Sequence, residues 1–167
     1  MQRIGAPADA EAKVLRDMRE VISKIREHSA RDVKDVGDGI VRLRIIRSSI
    51  YEDLNQVHHE YLLLRGLAWL LRNGFDPKLD WEWNPRQTGS GNEPDLRGSV
   101  GGKILVSAEA STSENPQGKI DSRMKETLGK LSRMEGQKFY FVTSAEMAAR
   151  ANTKARKARW SITVVRF

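Results

Sequence analysis

With 167 residues, 39% of them hydrophobic and four of them tryptophan, the chain has the length and apolar content to bury one core, which excludes global disorder. It contains no cysteine and only three histidines, two of them adjacent, which excludes disulfides and thiolate metal sites and argues against a histidine-built zinc site. A formal net charge of +7 and a pI of about 9.9 favour a polyanionic partner, because neutralising phosphates releases counterions.

In chain order, residues 8–28 set Val14, Leu15, Met18, Val21, Ile22 and Ile25 at helical spacing among charges, an amphipathic helix whose stripe must pack on the domain or on a second subunit. Residues 31–46 read two ways. Val41, Leu43 and Ile45 alternate with Arg42 and Arg44 as in a strand, yet Asp38 could cap a helix that runs on into the next. That next helix is clear from Leu54, Val57, Tyr61, Leu64, Ala68 and Leu71, with Ser49 and Glu52 as a capping box and Asn73-Gly74 as the stop. Its second half is apolar around most of its circumference, as in a buried helix. The stretch Leu62–Leu71 contains Arg65 and is too short to span a bilayer. With no signal-peptide apolar region at the N-terminus, the expectation is a cytoplasmic protein without a membrane partner.

"LDWEWNP" (79–85) alternates like a strand and breaks at Pro85, and "RQTGSGNE" (86–93) reads as a flexible polar loop, with 86–92 placed to track a groove or gate access. The stretch 93–112 is a central hairpin. Asn115 and Pro116 suit the N-cap and first position of a helix whose core stripe is Ile120, Met124, Leu128 and Leu131. "KFYFVTS" (138–144) reads as an interior strand, "SAEMAARANTKARKARW" as a capped helix, and "SITVVRF" as a last strand. The pattern predicts an α/β fold: one mixed sheet flanked by helices, formed by residues 51–167, with residues 1–50 as an N-terminal helical extension.

The hairpin holds Asp95 and Glu109, and its register decides whether they meet. A two-residue Gly101-Gly102 turn sets Asp95 opposite Ala108. A three-residue loop, Gly101-Gly102-Lys103, sets Asp95 opposite Glu109. The second register separates apolar Leu96, Val100, Ile104, Val106 and Ala108 from Asp95, Arg97, Ser99, Leu105, Ser107 and Glu109, almost all polar, whereas the first mixes them. The binary pattern therefore favours facing carboxylates, ~5 Å apart at Cβ. Such a pair repels unless a cation lies between, and Mg²⁺ takes one or two carboxylates while keeping several waters.

In element order (helix, three strands, helix, strand, helix, strand) and in Pro94-Asp95 followed by Glu109, the chain resembles the PD-(D/E)XK nuclease superfamily. The resemblance implies a restriction-endonuclease-like αβββαβαβ core and a Mg²⁺-dependent endonuclease, with Mn²⁺ as the alternative ion. Phosphodiester bonds would be the substrate, DNA ahead of RNA. By the same resemblance Asp95, Glu109, the Ala110 carbonyl and Glu60, on the first helix, would hold metal. Where the family has lysine two residues after the acid, this chain has Ser111. In family members lacking it there, a lysine can come from the following helix, and Lys119 is the candidate.

Arg150, Lys154, Arg156, Lys157 and Arg159 with Trp160 form the richest basic cluster, suited to phosphate contact or base stacking or, more blandly, a solvated helix face. The stripe of helix 8–28 could support a homodimer or a larger complex. The alternative to a nuclease is a catalytically degenerate nucleic-acid-binding or partner-binding subunit on the same fold.

Overall fold

The computed structural model describes residues 1–5, 7–30, 32–85 and 92–167. The loop reading for 86–92 therefore falls almost wholly outside the described residues. The elements are β1 (Gln2–Arg3), α1 (Pro7–Ser29), α2 (Val36–Arg72), β2 (Asp80–Trp83), β3 (Leu96–Val100), β4 (Lys103–Ser111), α3 (Lys119–Ser132), β5 (Gln137–Val142), α4 (Ala145–Ala158) and β6 (Thr163–Arg166).

The six strands form one mixed α/β sheet in sequential order. Strands β1 to β4 are antiparallel, while β4, β5 and β6 run parallel, so β4 is where the sheet changes sense. Parallel neighbours need crossovers, and α3 and α4 supply them. Alternation along β5 splits the core. Phe139 and Phe141 pack with Leu62, Leu63, Leu67 and Leu70 of α2, while Tyr140 and Val142 pack with Met124 and Leu128 of α3 and Met147 of α4. Helices thus cover both faces. Close approach of α2 to the sheet requires Gly66, where a Cβ would stand 2.4 Å from the Phe141 ring. Among the described residues no helix is long and apolar enough to cross a membrane.

The ambiguous stretch 36–46 is helix, and α2 runs unbroken over 37 residues. Asp35 is the N-cap, accepting from the Asp38 N–H at 2.9 Å, and Asp38 in turn accepts from the Lys34 N–H. This reciprocal pair starts the helix well before Ser49, which lies inside it and donates to the Ile46 carbonyl instead of capping. Local capping outweighs the alternation of Val41, Leu43 and Ile45. The front segment is also more than an appendage, for β1 extends the sheet beside β2, and Ile4, Ala10 and Val14 lie in the main core.

Two other boundaries differ from expectation. Helix α3 starts at Lys119 with Gly118 as N-cap, because Asn115-Pro116 belong to a turn in which the Gln117 N–H bonds the Asn115 carbonyl. The hairpin combines both registers. Gly101 and Gly102, each with positive φ, make the two-residue turn that pairs Val100 with Lys103. A bulge next to Ser99 then inserts one residue on β4, so Gly98 pairs with Val106 and Leu96 with Ala108. Beyond the bulge the register is the one the binary pattern chose, and its continuation sets Asp95 opposite Glu109.

Candidate active site

Asp95 precedes β3 and Glu109 lies near the carboxyl end of β4, where parallel sheets commonly place ligand sites. Both are nearly buried, at 3% and 4% exposure. The Asp95 carboxylate accepts the Ala110 N–H at 2.9 Å and lies 3.2 Å from His59 Nε2 of α2. Glu109 Oε1 lies 2.6 Å from Lys130 Nζ of α3. That contact is an ion pair off the line of a hydrogen bond, leaving Oε1 without an aligned donor. Lys130 also donates to the Glu93 carbonyl at 3.2 Å, so its charge is shared.

Electrostatics follow from the crowding. Burial, then the negative charge of Asp95, push the Glu109 carboxyl up to about 8, against the opposing pull of Lys130 and His59. Burial works to lower the His59 pKa, but the hydrogen bond and charge of Asp95 and the charge of Glu109 outweigh it and hold the imidazole above its ordinary value. Tyr140, beside them, is pushed up to about 12, mainly by burial. Glu109 thus binds a proton more tightly than an ordinary carboxylate.

Glu109 opens into a groove of about 640 Å³ between the middle of α2 and the first part of α3, and Asp95 lies behind it. Glu52, Gln56 and His59 line one wall, Arg123 and Thr127 the other, and Glu109, Ala110 and Ser111 the floor. The expected site residues divide here. Asp95, Glu109 and Ala110 come together. Glu60 does not join them, because one residue along a helix turns the side chain by about 100°. It is fully buried and meets Lys13 of α1 at 2.7 Å and Gln56 at 3.2 Å, while His59 takes the place facing Asp95. Lys119, exposed at the start of α3, does not line the groove, and Lys130 is the lysine that reaches the acid.

The basic cluster also divides. Arg150 and Lys154 are committed to Asp121 of α3, and Trp160 packs on the core cluster beneath α3 and α4. Arg156, Lys157 and Arg159 stand exposed. His59 and Lys130 escaped the sequence reading, but each had a signal. Glu52, Gln56 and His59 form a polar stripe at helical spacing on a helix otherwise becoming apolar, and Arg123, Thr127 and Lys130 repeat it on α3.

No family model, curated protein or solved structure matches this chain.

Proposed function

We propose that this chain is a metal-dependent nuclease on a PD-(D/E)XK-like core, hydrolysing phosphodiester bonds, with DNA the favoured substrate. The observation that carries the reading is the pair of nearly buried carboxylates, Asp95 and Glu109, of which Glu109 lies on the floor of an open polar groove with Lys130 beside it. Two further features support it. The order helix, three strands, helix, strand, helix, strand from α2 onward is that of the resemblance, and Lys130 offers a cation from the following helix where Ser111 replaces the motif lysine.

The donors fit a hard divalent cation. Among the described residues no three His, Asp or Glu side chains gather into an ion-holding group, but two carboxylates suffice for Mg²⁺, which keeps several waters. The raised proton affinity of Glu109, despite Lys130 at 2.6 Å, marks a local shortage of positive charge. Asp95 and Glu109 would hold the ion, beside Ala110. Bound there, the ion lowers the pKa of a coordinated water and offsets charge on the phosphate. His59 fixes the orientation of the Asp95 carboxylate, as partners of metal-binding groups do. Lys130 would neutralise charge developing near Glu109, and Arg123 gives the groove a cation against Glu52 and Glu126. Because the groove is rich in acids, nucleic acid should enter it only once the ion has bound.

The replacement of the motif lysine by Ser111 favours a second reading, a degenerate binding subunit on the same fold. Calorimetric titration of Mg²⁺ and Mn²⁺ into wild type, Asp95→Ala and Glu109→Ala, with and without a non-hydrolysable DNA, followed by cleavage assays on DNA and RNA, separates the two. Binding heat in the wild type alone, with cleavage, supports the nuclease. No ion binding even with nucleic acid present would overturn it in favour of the binding subunit.

A further inference from the structure

Helices α1 and α2 form an antiparallel hairpin, tied by Lys13–Glu60 near the sheet and Lys24–Asp53 farther out. Its two flanks differ. On one, Glu52, Gln56 and His59 face the acidic groove. On the other, Leu15 and Met18 of α1 and Tyr61, Leu64 and Ala68 of α2 line an apolar depression of about 360 Å³. Helical periodicity carries that apolar flank outward. Ile22 and Ile25 lie two turns beyond Leu15 and Met18, and Leu54 and Leu43 lie two and five turns back from Tyr61. These side chains are open to solvent: Ile22 is 47% exposed, Leu43 63%, Leu54 39% and Tyr61 49%.

From this face we infer that a second copy of the chain covers it, the two hairpins packing as a symmetric four-helix layer. Area is the first argument. From Leu43 to Tyr61 the face runs about 27 Å, and two helices side by side are about 20 Å wide, so pairing buries roughly 1,100 Å² in total, enough for a specific dimer. Width is the second. A single docked helix would fill the groove between α1 and α2 and leave the outer flank wet, whereas a two-helix face matches another of its kind. A twofold pair also keeps both acidic grooves, on the opposite flank, open to substrate. Exposed Arg19 and Arg26 on α1 and Arg47 on α2 border the apolar strip. Between identical copies those charges repel, so apolar burial must hold the pair together and salt should strengthen it. None of this rests on the metal-site reading.

The test is sedimentation equilibrium of the full chain at micromolar concentration, in about 0.1 and 1 M NaCl. Expected are a two-chain mass and tighter association at the higher salt. Leu43→Glu and Leu54→Glu, each acting twice in a symmetric pair, should raise the dissociation constant about 1,000-fold while leaving circular dichroism and Tm near wild type. A monomeric wild type would overturn the inference, including one whose apolar face binds vesicles of phosphatidylserine and phosphatidylcholine. So would a dimer that survives both variants or that weakens with salt.

Discussion

The two ends of α3 handle carboxylates in opposite ways. Near its start, partly exposed Asp121 meets two cations, Arg150 at 2.7 Å and Lys154 at 3.0 Å, and the hydrogen bond from Arg150, then that from Lys154, hold it well below the usual carboxylate range. Toward its end, Lys130 pairs with the buried Glu109 and His59 adds its charge, yet burial and the crowding Asp95 drive Glu109 the other way. The first cluster has its charge settled by the protein. The second is short of positive charge and opens onto a groove. The first sets one acid against two cations, the second two acids against one lysine. Burial and the ratio of cations to acids separate a structural ion pair from a place where chemistry can occur.

The comparison breaks most decisively at the acids of the second cluster. Asp95→Ala should abolish ion binding and reduce cleavage to background, and Glu109→Gln should do the same for a different reason. Glutamine keeps the shape of Glu109 but removes a charge the fold must otherwise carry without enough compensation. At pH 8 without metal, E109Q should therefore melt at or above the wild-type temperature even though activity is lost. A Tm well below wild type in both variants would make the pair structural after all.

Lys130 comes next. If its charge is used at the reacting phosphate, Lys130→Met should lower kcat by about 10²–10³-fold, the scale of losing one electrostatic stabiliser. Lys119→Met should leave kcat near wild type, since Lys119 does not line the groove. Equal losses in the two would return the role to the first turn of the helix.

A smaller effect follows from pH. Glu109 binds its proton with a pKa of about 8 in the folded chain and 4.5 as an unperturbed side chain. Over that window the folded state holds a proton the unfolded chain has released. Stability without metal is therefore fully present below about 4.5 and falls as pH rises through about 8. Metal must displace the same proton, so Mg²⁺ affinity should rise by up to about tenfold per pH unit below 8 and then level off, with one proton released. Calorimetry in buffers of different ionisation enthalpy counts that proton, and release of none by the wild type would sink the assignment.

Most of the architecture was legible because it rests on local signals. Alternation in β2 and the hairpin, the short apolar run of β5 and the 3.6-residue period of the buried half of α2 are all local, and Ser144 caps α4 by accepting from the Met147 N–H. The hairpin was legible in part. Binary pattern picked the register that β3 and β4 adopt from Leu96–Ala108 to Gly98–Val106, but a turn followed by a bulge satisfies the same pattern as a longer loop, so the path between tip and site was not determined. Strand β1, two residues long, has no period to read. The site was harder, since it depends on which of two neighbouring helix residues points inward. Choosing His59 over Glu60 required knowing that Lys13, 47 positions away in sequence, would claim the glutamate. Lys130 over Lys119 depended likewise on where α3 begins, and a glycine rather than Asn115 set that point.

The smallest effect tests the settled end of α3. Asp121→Asn removes the acid that Arg150 and Lys154 share, at a partly exposed position where water readily takes over as partner. Tm should fall slightly, and Mg²⁺ affinity and the pH dependence of Glu109 should not move, because Asp121 has no part in the groove. Freeing Arg150 and Lys154 adds two uncommitted cations to the surface that already carries exposed Arg156, Lys157 and Arg159. If that surface contacts phosphates, D121N should bind DNA more tightly and with a steeper salt dependence than wild type, the slope of log K against log salt growing by about 0.9 for each added phosphate contact. An unchanged slope would show that α4 contributes no contact to nucleic acid, leaving Arg123 and the bound ion to hold the substrate from within the groove.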